Sequence, residues 1–408
     1  MRYRDANDLS DISRDARTVI DFIGKREYIR ALESIHRSLN AKGFVTTFDD
    51  ANFALELDLL NLEIIRAQGS GKFTHLPKQC HAGVDFLIGL GQTISVLSEN
   101  AKVRLLGRLR KGLDEGLWPL QHELRVAASL SNYGWDIRFH DLEEGEGYDF
   151  LASRDGKEFE VEAKAISIFT GLPIKPENLD KLLVEIKQRF VWKDRKSIPV
   201  FGVRLSSNLS SNRDELARLV SDLNRVAQTR TNLSDSDVEI RFFGTIPLLT
   251  PVQLSLGTKM HADLTKRVVL ATYSPPRIVL ELDSSKSRQF GKKIIKIISE
   301  TAREQFSSER PGVIWTHVNF ISNEDFERLG RTERGLIGPL DRIATAALLS
   351  QKRRHLSQLV FSGGSVLSKT GDTARSSFKS AVYNSPSCRF GEDIIFPGGR
   401  KQRSESEK

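Results

Sequence analysis

The sequence predicts an α/β (α+β) chain, a mixed β-sheet flanked by helices and preceded by an N-terminal helical module. Three observations carry that prediction. Residues 1–117 repeat apolar side chains at three- and four-residue steps, the period of a helix with one buried face. From Trp118 onward, helical stretches alternate with short runs of period two, the period of half-buried strands. Asp155-Gly156 stands between two such runs, and Asp-Gly is a strong hairpin signal.

In the helical module, Asp15 to Leu39 spaces Val19, Phe22, Ile23, Tyr28, Ile29, Leu32 and Ile35 as one helix face. Residues 51–66 and 84–113 repeat the habit. Gly69 to Lys72 (GSGK) lacks the earlier glycine and the following Ser/Thr of a phosphate loop, so it is a turn. A further helix opens at Pro119 and stops at Gly134. WDIRFH (135–140) alternates Trp135, Ile137 and Phe139 against polar neighbours as a strand, and residues 148–153 and 157–169 form the hairpin. Helices are then expected at 176–192, 213–229, 288–306 and 340–349. Strands are expected at 198–205, 238–246, 277–282, 312–320 and 356–361. The expected organisation is a helical module over 1–117, an α/β domain over 118–396 with its core at 118–205, and a flexible tail over 397–408.

The chain has 408 residues, of which 39% are hydrophobic, enough for a sizeable core; collagen-like and disordered classes are excluded. Two cysteines, Cys80 and Cys388, exclude a disulfide framework and a multi-cysteine zinc site. The charged start has no apolar signal core, and Val84 to Leu97 is too short to span a bilayer. A soluble, cytoplasmic protein is expected. The net charge of +8 permits a polyanionic partner such as nucleic acid without demanding one.

The chemistry concentrates in Trp118 to Ser167. With Asp155-Gly156 at the centre of a tight turn, opposed residues have numbers summing to 311, so Asp149 faces Glu162. Glu158, Glu160, Glu162 and Lys164 share that face, while Phe159, Val161, Ala163 and Ala165 point the other way. Carboxylates so close repel unless a cation neutralises them, and a hard divalent ion suits such oxygen ligands. Lys164 would neutralise charge building on a phosphate or orient the attacking water. Glu123 lies on the apolar stripe of Leu120, Leu124 and Ala127, an expensive place for a carboxylate unless a charged site awaits it. Glu160 is the alternative to Glu162 if the turn is longer.

A helix with Glu123, a strand, a strand with Asp149 and a strand with Glu162-Ala163-Lys164, followed by a helix and a strand, resembles the PD-(D/E)XK (restriction-endonuclease-like) nuclease superfamily over Trp118 to Leu205. The segment also looks like uncharacterised bacterial members, with Tyr148 where a proline is common. The resemblance implies a restriction-endonuclease-like sheet and a metal-dependent phosphodiesterase. In it, Asp149 and Glu162 would bind Mg²⁺ (or Mn²⁺), Lys164 would activate, and Glu123 would assist as an auxiliary ligand. Nucleic acid is the implied partner, DNA first, and duplex cutting would favour a homodimer or two successive nicks.

Two other readings stand beside it: a solvated hairpin face, and a nuclease-like fold without activity that binds nucleic acid or protein. The same triplet recurs at Asp155–Lys157, Glu185–Lys187 and Asp194–Lys196, in the turn and in helical or loop-like sequence. His122-Glu123 fails the zinc-protease pattern because Val126 occupies its fifth position. Cys80-His81 has no partner pair at zinc spacing, and Gly89-Leu90-Gly91 lacks the strand and third glycine of a nucleotide fingerprint. Arg288, Lys292 and Lys296, at four-residue steps, form a basic stripe able to track a phosphate backbone; Lys352 to Arg354 is a shorter cluster.

Overall fold

The computed structural model describes residues 9–30 except 25 and 28, 81–115, 117–167, 170–247 except 172, 258–262, 268–272, 276–286, 289–319, 323–330, 338–350, 353–370, 373–390 and 400–401. The expected helix at 51–66, the turn at 69–72, and Cys80, Arg288 and Lys352 lie outside them, as does most of the tail. In chain order the elements begin with α1 (Leu9–Ile23), α2 (His81–Ile94), α3 (Glu99–Glu115) and α4 (Trp118–Asn132). There follow β1 (Asp136–Phe139), α5 (His140–Glu144), β2 (Phe150–Arg154), β3 (Lys157–Ser167), α6 (Pro176–Arg189), β4 (Ser197–Leu205) and α7 (Arg213–Thr229). Next are β5 (Leu233–Ser234), β6 (Val238–Pro247), β7 (Thr258–Ala262), β8 (Val268–Thr272), β9 (Ile278–Ser284) and α8 (Phe290–Glu304). The series ends with β10 (Gly312–Asn319), α9 (Asn323–Gly330), α10 (Pro339–Leu348), β11 (Leu356–Thr370), β12 (Thr373–Asn384) and β13 (Arg400–Lys401).

Among the described residues the fold is mixed α/β with two sheets, in two compact units. One unit takes in the described residues up to Ser167 and again from Ile294; the other spans Ile168–Lys293. The first holds a seven-stranded mixed sheet in the order β1-β2-β3-β10-β11-β12-β13. Its first three strands are antiparallel, and β3, β10 and β11 run parallel. The second unit holds a six-stranded sheet, β5-β6-β4-β9-β8-β7. Leu216, Leu219, Val220 and Leu223 of α7 are buried there, with α7 packed against β6.

The hairpin forms in the expected register, with Phe150 opposite Val161 and Ala152 opposite Phe159. Asp155 (φ 52°) and Gly156 (φ 77°) both adopt the left-handed region, as a two-residue hairpin turn with the strands' own twist requires. Three expectations are corrected. The helix from Asp15 is interrupted after Ile23, because Gly24 takes φ 94° and its N–H closes back on Ile20 O; residues 26, 27, 29 and 30 are helical again, and 31–39 lie outside the described residues. Residues 84–113 form two helices: Ser98 Oγ accepts the Ala101 N–H and starts α3 as a cap. The strand at 198–205 does not join the hairpin's sheet; β4 pairs with β6 and β9, and the neighbour of β3 is β10. Residues 168–293 thus intervene between two adjacent strands of the first sheet. None of the described helices is long and apolar enough to cross a membrane. Phe86, Leu90, Ile94 and Leu97 are buried in the protein instead.

Candidate metal centre

The site lies wholly within the first unit, where α3, α4, α5, the residue before β2, and β3 each contribute a charged side chain. Leu120, Leu124 and Ala127 pack α4 onto β3 and bring Glu123 inward with them. His122, the preceding residue, locks this placement: its Nε2–H donates to Trp315 O of β10 at 3.1 Å, and its ring stacks on His317 at 5.2 Å. Burial pushes the His122 imidazole down to about 3, so it is a neutral strut at pH 7.

Asp149 directly precedes β2 and accepts the Ala163 N–H on Oδ2 at 2.7 Å. Its own N–H donates to Glu162 Oε2 at 3.1 Å. Glu162 Oε1 is paired with the Lys164 ammonium. The expected meeting of Asp149, Glu162 and Lys164 is therefore present. Relative exposures of 7% for Glu123, 7% for Asp149 and 2% for Glu162 distinguish this cluster from a wet hairpin face.

Glu160 belongs elsewhere. It is fully buried, accepts the N–H and Oγ–H of Ser307, and lies 3.8 Å from Arg310, which also pairs with Glu158 at 2.7 Å. The four charges of the β3 row are thus shared between two separate sets of partners, which relieves their mutual repulsion. Among the described residues the other triplets hold no comparable cluster: Asp155 is in the turn, Glu185 on α6 pairs with Arg189 and Arg213, and Asp194 caps Lys196 and Ser197.

Two participants were not expected. Asp141, on the short α5 after β1, brings a carboxylate oxygen within 4.8 Å of Glu123 and Asp149, and those three atoms form one mutually close set. Arg108 of α3 spans two of them, with Nη2 on both Glu123 oxygens (2.6 Å to Oε2) and Nη1 on Asp141 Oδ2 at 2.6 Å. Asp141 Oδ1 is buried without a hydrogen-bond partner. Spacing does not reveal Asp141, which sits in the connection between two strands. Arg108 is one of several basic residues on α3, and the only signal is its place between the buried Leu105 and Leu109.

Four carboxylic acids meet two cations, Arg108 and Lys164, so ionising all four would leave a double negative charge, and the cluster resists it. Burial raises Glu123 to about 7, helped by Asp141 and Glu162 and opposed by Arg108. Burial, then Glu162, Glu123 and Asp141, raise Asp149 well above the usual carboxylate range. Glu162 and Asp141 are also raised, burial being the main cause. Burial works against the Lys164 ammonium, but Glu162, Asp149 and Glu123 outweigh it and hold the group charged.

Of the basic stripe, Lys292 and Lys296 are exposed on α8, opposite the buried Ile294, Ile298 and Ala302; Lys296 is 3.6 Å from Glu300. No family model, curated protein or solved structure matches the chain.

Proposed function

We propose that the chain is a metal-dependent endonuclease of the PD-(D/E)XK type, hydrolysing nucleic-acid phosphodiester bonds, with DNA the expected substrate. The observation that carries this reading is the convergence of the buried Glu123, Asp149 and Glu162 beside the part-exposed Lys164, spaced as that superfamily spaces its active site. The order of elements supports it too: α4, β1, the short α5, β2, β3, then α8 and β10 parallel to β3, with residues 168–293 inserted.

The residues fit a hard divalent ion. The donors are all carboxylate oxygens, three of them mutually close, and one Asp141 oxygen has no hydrogen-bond partner. Glu123, Asp141 and Asp149 would hold it, with Glu162 beside them. Mg²⁺ or Mn²⁺ would supply polarisation of the phosphate and a water acidic enough to attack at neutral pH. Lys164, its side chain 32% exposed, faces incoming substrate with its charge secured by Glu162 and neutralises charge developing on phosphate oxygens. The Ala163 N–H holds Asp149 in place, and His122 holds α4 and with it Glu123.

The test is a cleavage panel of duplex, single-stranded and branched DNA and RNA with Mg²⁺ or Mn²⁺, with and without EDTA. Cutting of at least one form, abolished by EDTA, is expected. Binding without cutting of any form would make the chain a binding module.

Metal binding should also depend on pH in a defined direction. Folded Glu123 keeps its proton up to about 7, against an ordinary 4.5. Without metal, its contribution to stability is complete below pH 4.5, falls as pH rises through that window, and is lost above about 7. An ion needs the carboxylate form, so Mn²⁺ should raise the melting temperature at pH 8 by about 5 °C and far less at pH 5.5. Thermal melts at both pH values, with and without Mn²⁺, check this; an equal rise at both would contradict it.

A further inference from the structure

We infer that Arg108 is the charge-exchange residue of this site: its guanidinium holds Glu123 and Asp141 until a divalent cation takes those carboxylates, and then contacts the substrate phosphate. The inference rests on the phosphodiesterase reading above. Its basis is positional. Arg108 hydrogen-bonds two of the three mutually close carboxylates, so the fork occupies oxygens that an ion would need. A guanidinium and a divalent cation repel at such range, and both cannot stay on the same oxygens.

Release is open to Arg108. Its side chain is 34% exposed, against 9% for Glu123 and 20% for Asp141, so a solvent-side position is within reach of its long stem. It neutralises only one oxygen of Asp141, leaving Oδ1 without a partner, which suits a contact made to be replaced. Once free, the fork stays beside the carboxylates to which the reacting phosphate must come. Its planar, permanently charged donors match phosphate oxygens in pairs, which a lysine cannot do.

Calorimetry with Mn²⁺ alone at pH 8, on the full chain, compares the wild type with Arg108→Gln and Arg108→Lys. Single-turnover cleavage of a labelled duplex is measured on the same preparations. Arg108→Gln should bind Mn²⁺ at least about tenfold tighter, because a competing charge has left the cluster. It should cleave at least about a hundredfold slower, because the phosphate contact is gone. Arg108→Lys should fall between the two in both measurements, and it carries the comparison if the glutamine variant does not fold. Unchanged or weaker Mn²⁺ binding in the variants would overturn the exchange, and undiminished cleavage would overturn the phosphate contact. A wild type that binds no Mn²⁺ would instead sink the phosphodiesterase reading, a separate outcome.

Discussion

Asp149→Asn is expected to abolish metal-dependent cleavage, by at least about a thousandfold, while leaving the protein folded. The residue has two jobs that this substitution separates. One carboxylate oxygen accepts the Ala163 N–H and fixes the entry to β2 against β3. Asparagine keeps an oxygen for that bond. The negative charge is the other contribution, one of three mutually close acids offered to an ion, and asparagine removes it. Burial and the neighbouring acids already disfavour the charged form of Asp149, so a neutral isostere should not lower the metal-free melting temperature. The rise on adding Mn²⁺ should shrink instead. Single-turnover cleavage and paired melts check both halves. Activity above about a tenth of wild type would place the chemistry somewhere other than this cluster.

Phe159→Ala is expected to cost about 3–5 kcal/mol, the range for deleting a fully buried aromatic ring. Phe159 is inaccessible to solvent on β3, edge-on to Trp135 at 5.3 Å, and Arg154 lies over the far ring at 4.5 Å. Removing it leaves a cavity beside Trp135, just before β1. Because the chain divides into two compact units, the loss should appear in the unfolding of the one containing β3. Chemical denaturation followed with probes in each unit checks this. Coincident shifts in both would mean that the units unfold as one.

The hairpin was legible from sequence because everything that specifies it is local. A two-residue turn sets the register, and the register places Asp149 opposite Glu162 with Lys164 on the same face. Glu123 was legible for a different reason: a carboxylate on an apolar stripe is costly, so its presence implied a partner. The partner includes Arg108, which that reasoning could not name. Glu160 shows the limit of face counting. It shares its strand's alternation with Glu162, yet its bonds go to Ser307 and to no member of the cluster. Strand 198–205 shows another limit, since the family resemblance implied it as the next strand of the hairpin's sheet. Its backbone edges instead pair with β9 and β6.

Local stereochemistry therefore suffices for the turn, the two facing acids and the neighbouring ammonium, all within sixteen residues of one another. Long-range packing alone selects β10 as the neighbour of β3 and draws Asp141 and Arg108 to the acids. The reason is that period-two alternation states how deeply a strand is buried but carries no label for the sheet that buries it. In the same way, a basic residue on a helix becomes a site residue only through the carboxylates that other elements deliver to it.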